Sequence, residues 1–262
     1  MSTVQVFPAS RRLTLRHLLN ILAFVVVIVV NALANTLPFN GLSTGDIANS
    51  YPSLFTPAGY VFAIWGLIYL LLAVFALYQA LPAHRDNLRL ARLGYLFVIS
   101  CALNIAWLFS WHYLQITLSM LLMLGLLVTL VLIYQRLKIG QGHVSRGESL
   151  AVRLPFSVYL GWITVATVAN ASVFLLELGV RGGWAAPFWA FVMLAAATLI
   201  GLTMLRRRGD VAFVGVLIWA FVGIAVRQWG GEALLVLAAA AAAVYLGYEV
   251  VRRVRSSEAV HI

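Results

Sequence analysis

Long runs of apolar residues alternate along the chain with short segments that carry charged residues, glycine or proline. Eight runs have about 18–25 residues, the length that an α-helix needs to cross the hydrocarbon core of a bilayer. We therefore predict an all-α, polytopic membrane bundle of about eight transmembrane helices. The runs are His17–Leu37, Pro57–Leu81, Leu93–Tyr113, Ile116–Arg136, Leu154–Glu177, Trp184–Leu205, Val211–Gln228 and Ala233–Val250.

Two alternatives to this division are open. Only the uncharged segment Tyr113–Gln115 separates the third run from the fourth, so the two could form one long bent helix. The first run follows arginines and contains Ala32-Leu33-Ala34, a pattern that is also typical of a signal peptide. Its apolar part has about 20 residues, against 7–15 in such peptides, which favours a retained helix.

Composition agrees with a membrane protein. Of the 262 residues, 63% are hydrophobic and 10% are charged, whereas soluble domains have roughly 25% charged residues. The predicted spans leave no room for a soluble catalytic domain, so any chemistry must lie between helices. The single cysteine, Cys101, excludes an internal disulfide and a thiolate metal site, and we expect it in the core.

The positive charges indicate how the chain is oriented. The formal net charge is +10, and with eight spans all Lys and Arg residues except Arg181 and Arg227 fall on the side of the N-terminus. Cytoplasmic loops are enriched in these residues. We therefore expect both termini in the cytoplasm of a multi-pass protein of the cell membrane, such as a bacterial inner membrane. The charge then reflects topology, and nucleic acid is not an expected partner.

Ionisable residues do not occur near the middle of any predicted helix, where they usually mark ion or proton pathways. This pattern argues against a proton pump and against a metal-dependent membrane protease. The five histidines are dispersed and do not pair at helical spacing, so we predict neither a metal nor a cofactor.

Neutral polar and aromatic residues occur at similar depths in four predicted helices. At 1.5 Å per residue, Asn31, Trp65, Trp107 and Asn170 lie about 9–12 Å from the outer helix ends. Residues at helical spacing from three of these positions form stripes on their helices. The second helix has Trp65 and Tyr69, the third has Asn104 and Trp107, and the fifth has Trp162, Ala166 and Asn170.

Two interpretations of the stripes are open. Asparagines can join helices by hydrogen bonds of about 0.6 kcal/mol on average, and tryptophans are typical of the aromatic belts at the membrane surface. However, Trp65, Trp107 and Trp162 lie too deep for such a belt. Indoles combined with a few amides have the composition of a pocket for a flat or extended apolar ligand.

Three motifs in these stripes resemble the translocator protein family, also called TspO/MBR or tryptophan-rich sensory proteins. They occur in the family's order and at its spacing, over roughly residues 16–177. They are Trp162, Ala166, Thr167 and Asn170 on the fifth helix, Asn104 and Trp107 on the third, and Pro57, Trp65 and Tyr69 on the second.

The resemblance implies a five-helix bundle with a pocket beneath the loop that joins the first two helices. Members of the family bind porphyrins, sterols and synthetic aromatic ligands, and they have been linked to tetrapyrrole transport, sensing or breakdown. The loop of residues 38–56 has no Trp and no Lys-Pro, so porphyrin specificity is not carried over. The expected ligand-binding residues, with Tyr69 added from the second-helix stripe, are Trp65, Tyr69, Asn104, Trp107, Trp162, Ala166, Thr167 and Asn170.

Residues 178–251 add three helices that the five-helix pattern does not contain, and residues 252–262 form a predicted cytoplasmic tail. The added helices are rich in alanine and glycine, with an unbroken alanine run over Ala238–Ala243. This composition favours close helix packing over a second ligand site.

The leading functional hypothesis is a membrane ligand-binding protein, either a sensor or a transport-type protein. Its partner would be a hydrophobic or amphipathic molecule such as a tetrapyrrole, an isoprenoid or a sterol-like lipid. A secondary transporter of a small neutral metabolite or lipid would need internal repeats or broken helices. An enzyme that modifies its bound pigment would need a titratable group near the outer mouth, where the candidates are His112, Glu177 and Tyr69. A structural subunit would have a filled interior, and the sequence leaves a homodimer open.

Overall fold

The computed structural model describes residues 13–37, 39–180 and 185–259. Every regular element within these ranges is helical, which confirms the all-α class. Eight long helices form the bundle. They are α1 (Leu15–Thr36), α2 (Ile64–Ala80), α3 (Leu96–His112), α4 (Ile116–Arg136), α5 (Leu154–Glu177), α6 (Ala185–Arg208), α7 (Val211–Arg227) and α8 (Ala233–Ala259).

Within the described ranges, six helical segments are long and apolar enough to cross a membrane. The other two long helices, α3 and α7, are apolar but have 17 residues each. The number of spans and the orientation of the termini stay predictions. The six segments are Leu15–Thr36, Gly59–Ala80, Ile116–Arg136, Arg146–Glu177, Pro187–Arg208 and Ala233–Ser256.

Several predicted helix ends need correction. A 3₁₀ turn at Gly59–Ala63 precedes α2, which was predicted to begin at Pro57. Helix α3 starts at Leu96 instead of Leu93, because Gly94 adopts a left-handed φ of 58°. A π-helical turn at Ser149–Arg153 leads into α5.

The largest differences are in the C-terminal part of the chain. Helix α8 continues to Ala259, so most of the predicted tail is helical. Helix α6 runs past Leu205 to Arg208, and Gly209, with a φ of 64°, follows its last residue. The predicted first residue of this helix, Trp184, lies outside the described residues, as do Arg11, Arg12 and Arg181.

A tight turn separates α3 from α4 and excludes one long bent helix. Leu114 adopts a left-handed φ of 57°. The Gln115 N–H donates to the Ser110 carbonyl oxygen at 2.8 Å, which closes the turn. The two helices pack against each other on either side of it.

The helices after residue 184 pack on the first five mainly through α5 and α7. A Cβ atom at Gly161 of α5 would lie 3.1 Å from the Phe213 carbonyl oxygen and from Val216 Cβ on α7. Glycine therefore permits the close approach of these two helices, as small residues do in membrane proteins generally.

The bundle has two distinct ends. At one end, which we call the arginine-rich end, Arg16 donates to the Leu90 carbonyl oxygen at 2.8 Å and Arg136 to the Arg92 carbonyl oxygen at 3.4 Å. At the other, the lid end, residues 39–58 cover the ends of α3, α5 and α7. These residues, which we call the lid, include a short helix at Thr44–Ser50.

A buried carboxylate joins three helices at the arginine-rich end. Asp210 accepts hydrogen bonds from the Tyr134 hydroxyl of α4 at 2.8 Å and from the Ser157 hydroxyl of α5 at 2.7 Å. It also caps α7 by accepting from the Phe213 N–H at 3.0 Å. Since unsatisfied polar groups are costly in an apolar interior, this carboxylate couples α7 to the first five helices.

Replacing Asp210 with alanine removes the helix cap and leaves two buried hydroxyls without their acceptor. We expect Asp210→Ala to lower the free energy of unfolding by about 2–4 kcal/mol. Thermal unfolding in detergent, followed by circular dichroism, measures this loss. Asp210→Asn keeps one acceptor oxygen and should be affected less. An Asp210→Ala protein as stable as the wild type would contradict the role assigned to this carboxylate.

Candidate functional site

A cavity lies under the lid, between α2, α3 and α5. It encloses about 30 Å³, enough for one or two water molecules. Four tryptophans from three helices dominate its wall, and the lid supplies small and polar residues. The lining residues are Thr44, Ala48, Thr56, Pro57, Phe62, Trp65, Trp107, Trp111, Trp162, Val165, Ala166, Ala169, Asn170 and Val173.

The aromatic rings of the wall form a continuous stack. Ring centroids are 5.6 Å apart for Tyr69 and Trp65, 6.2 Å for Trp65 and Trp107, and 6.0 Å for Trp107 and Trp111. Trp162 meets Trp65 edge to face at 6.2 Å. These offset and edge-to-face geometries are the ones that aromatic rings prefer.

Five of the eight residues that the sequence predicted line this cavity. Trp65 comes from α2, Trp107 from α3, and Trp162, Ala166 and Asn170 from α5. The roughly two turns of α5 between Trp162 and Asn170 therefore present one face to the cavity, as the helical spacing indicated.

The other three predicted residues lie behind the wall. Tyr69 stacks on the far side of Trp65. Asn104 accepts a hydrogen bond from Asn31 of α1 at 3.0 Å and so joins α1 to α3. The Thr167 hydroxyl donates to the Ile163 carbonyl oxygen of its own helix at 2.7 Å.

Some polar groups of the cavity wall have partners and others do not. Asn170 Nδ2 donates to Ser119 Oγ of α4 at 3.2 Å, so this amide also joins two helices. By contrast, Nε1 of Trp107, Nε1 of Trp162 and the Thr56 hydroxyl are buried and have no partner among the described residues. Two indole donors and one hydroxyl of the lining residues are therefore unpaired, and these atoms are themselves buried behind an apolar cavity surface.

The lid is held on α3 by polar contacts to Trp111 and His112. The indole N–H of Trp111 donates to the Thr44 carbonyl oxygen at 3.2 Å. His112 Nε2 lies 3.0 Å from the Thr44 hydroxyl, and its Nδ1 lies 3.2 Å from the Phe39 carbonyl oxygen. Because a carbonyl oxygen only accepts, Nδ1 carries the proton in this arrangement.

The short helix of the lid is closed at its N-terminus by a capping box. Asp46 accepts hydrogen bonds from the hydroxyl and the N–H of Ser43, and its own N–H donates to the Ser43 hydroxyl. The two hydrogen bonds that the carboxylate accepts lower the pKa of the Asp46 carboxyl, and the one from the Ser43 hydroxyl has the larger effect. The cap fixes the direction in which Thr44 and Ala48 face the cavity.

Helix α7 holds the other side of the lid. The Ala58 N–H donates to the Gly223 carbonyl oxygen at 3.0 Å, and the Gln228 amide donates to the Leu54 carbonyl oxygen at 3.0 Å. A Cβ atom at Gly223 would lie 2.2 Å from Val61 Cγ2, so only glycine fits there. Sequence reasoning missed this contact, although a glycine within an apolar helix can mark a close approach.

The wall of the cavity contains no titratable side chain. Of the three residues considered for catalysis, His112 is engaged with the lid, Glu177 is exposed, and Tyr69 lies behind Trp65. Among the described residues no group of three His, Cys, Asp or Glu side chains could hold a metal ion. The wall offers stacking surfaces and hydrogen-bond donors.

These features define a helical membrane protein with an aromatic cavity under a lid. The family model described as TSPO-like protein matches residues 17–251, so the chain belongs to the TSPO-like family and the resemblance is confirmed. The match includes α6 and α7 and most of α8, as well as the first five helices. The comparisons with curated proteins and with solved structures gave no match.

Replacing His112 with leucine removes two contacts that hold the lid on α3. We expect backbone amides of residues 44–50 to exchange hydrogen about tenfold faster in His112→Leu, because the lid then opens at lower free energy. Hydrogen-exchange mass spectrometry measures the rates. Tyr113→Leu, at an exposed neighbouring position, serves as the control. Equal exchange in the wild type and His112→Leu would show that His112 does not hold the lid.

Proposed function

We propose that this protein binds a hydrophobic or amphipathic molecule in the aromatic cavity under the lid, as a sensor or a transport-type protein. Suitable ligands are tetrapyrroles, isoprenoids and sterol-like lipids. The observation that carries the proposal is the convergence of Trp65, Trp107, Trp111 and Trp162 on one cavity from three helices. Such a wall favours flat or extended apolar molecules through burial and stacking.

The free polar groups of the wall narrow the chemistry of the ligand. The indole N–H groups of Trp107 and Trp162 can only donate hydrogen bonds. A ligand that offers them a carbonyl, carboxylate or ring-nitrogen acceptor would gain two hydrogen bonds in an apolar surrounding. The best ligand is therefore amphipathic, with an acceptor group attached to a flat apolar body.

The size of the cavity indicates how binding proceeds. A space of about 30 Å³ is far smaller than the 300–1,000 Å³ of typical ligand pockets. A ligand must therefore displace indole rings and lift the lid. The rings then lose stacking contacts with one another and gain contacts with the ligand. Affinity depends on how easily the lid leaves α3 and α7.

The distribution of arginines supports a cell-membrane location in which the arginine-rich end faces the cytoplasm. The lid would then open toward the opposite side of the membrane, so a ligand would enter from the external leaflet or the external solution. This orientation belongs to the same proposal.

The experiment is a titration of the purified protein in detergent with protoporphyrin IX and with a sterol, followed by ligand absorbance or scintillation counting. We expect Trp107→Leu and Trp162→Leu each to weaken binding by about tenfold or more, since each removes a stacking surface and a donor. The control is Trp229→Leu, because Trp229 is 81% exposed and lies outside the cavity. Unchanged binding in both cavity variants would refute the assignment.

A further inference from the structure

A second cavity lies at the arginine-rich end, between the turn after α4, the start of α5 and the loop from α6 to α7. It has a volume of about 370 Å³ and a wall with both polar and apolar residues. None of its residues belongs to the aromatic cavity. The lining residues are Ile139, Gly140, Gly142, Ser149, Leu150, Arg153, Leu154, Ser157, Arg208, Gly209, Asp210, Val211 and Ala212.

Two arginines of this wall have donor atoms left over. Arg153 Nη2 donates to the carbonyl oxygens of Gln141 at 2.6 Å and Gly142 at 2.9 Å, which holds its guanidinium in place. Arg208 lies over the Tyr134 ring, 6.0 Å from its centroid. Nevertheless Arg153 Nε and Arg208 Nη1 are buried and have no hydrogen-bond partner within the described part of the chain.

The single carboxylate of the wall does not satisfy these arginines. Asp210 already accepts hydrogen bonds from Tyr134, Ser157 and the N–H of Phe213. The wall therefore contains two arginines and one carboxylate, and that carboxylate is engaged elsewhere. A phosphate group is the ligand that such a pair of guanidinium groups binds best.

An apolar groove of about 480 Å³ continues from this cavity along the outside of the bundle. Leu154 and Ala212 belong to both walls, so the two spaces adjoin. From Ala212 to Trp219 the groove follows α7 for about 10 Å. A Cβ atom at Gly215 would meet no other atom within 4 Å, so the groove is open there. The groove residues are Ala63, Ile64, Leu67, Leu154, Val158, Ala212, Gly215, Val216 and Trp219.

We propose that this composite site binds one phospholipid, with its phosphate between Arg153 and Arg208 and an acyl chain in the groove. The adjoining apolar groove favours a phospholipid over free phosphate, because only a lipid joins an anionic group to a chain of this length. Basic pockets at the ends of membrane helices are typical sites for anionic headgroups. The site is separate from the aromatic cavity, so the two proposals can fail independently.

The test is native mass spectrometry of the full-length protein in detergent, titrated with phosphatidylglycerol. We expect one tightly held lipid in the wild type and about tenfold weaker retention in the double variant Arg153→Gln/Arg208→Gln. Arg207→Gln is the matched control, since it removes the same charge from an exposed neighbour of Arg208. Diacylglycerol, which has the same chains without the phosphate, should bind as weakly to the wild type as phosphatidylglycerol binds to the double variant.

A second variant tests the groove alone. Gly215→Leu places a side chain in the open groove and should also weaken lipid retention about tenfold, because the acyl chain loses its place. Gly247→Leu, on α8, is the control, as a Cβ atom there also meets nothing within 4 Å. If the double variant does not fold, the comparison of Gly215→Leu with Gly247→Leu still tests whether an acyl chain occupies the groove.

Two results would overturn the proposal. One is equal lipid retention in the wild type and Gly215→Leu, which would mean that no chain occupies the groove. The other is displacement of the lipid by millimolar inorganic phosphate, which would identify a free-phosphate site. Retention that responds to both variants and resists phosphate supports a phospholipid site.

Discussion

The need to pair polar groups without water governs this structure. In hydrocarbon every backbone N–H and C=O must find a partner within the protein, which is why the described chain is helical throughout its long elements. The same constraint acts on side chains. Asn31 pairs with Asn104, Asn170 with Ser119, and Asp210 with Tyr134 and Ser157, and each pairing ties one helix to another. Not every buried polar atom of the described residues is paired: the indole donors of Trp107 and Trp162 and the arginine donors at the other end lack partners, as do Asn104 Nδ2 and the Tyr69 hydroxyl. Buried polar groups without a partner call for an explanation, and the two proposed sites give one for the indole and arginine donors.

The helices beyond residue 184 have a structural connection to the proposed binding site. Helix α7 packs closely on α5 at Gly161 and holds the lid through Gly223 and Gln228. From the first five helices, the lid is held by hydrogen bonds of Trp111 and His112 on α3. Two attachments make the lid harder to lift, so α7 sets part of the free energy that lifting the lid costs. The close helix packing predicted for this region is therefore only part of its contribution.

Periodicity and depth predicted much of the fold and of the cavity. The apolar runs gave the eight long helices. Depth placed Trp65, Trp107 and Asn170 at one level, and the stripe on the fifth helix added Trp162, and all four line the cavity. Three predicted positions do not reach the cavity. Tyr69 and Asn104 belong to the stripes, and Asn104 turns toward α1, whereas Thr167 was predicted from the resemblance and bonds back to its own helix. Spacing along one helix does not predict which hydrogen-bond partner a side chain takes, because that depends on how the neighbouring helices pack. The lid residues Thr44 and Thr56 come from a segment without regular spacing. The hydrogen bond from Ala58 of this segment to Gly223 joins positions about 165 residues apart in the chain.

The length of α8 has a consequence for how the molecule sits in its bilayer. A helix of 27 residues measures about 40 Å, whereas the hydrocarbon core is about 30 Å thick. Its exposed Arg252, Arg253 and Arg255 cannot enter that core at reasonable cost. They act as a stop that keeps the last turns among the lipid headgroups and prevents the whole molecule from sinking deeper. Together with the other arginines of the arginine-rich end, the last turns of α8 thus oppose vertical displacement of the protein in the bilayer.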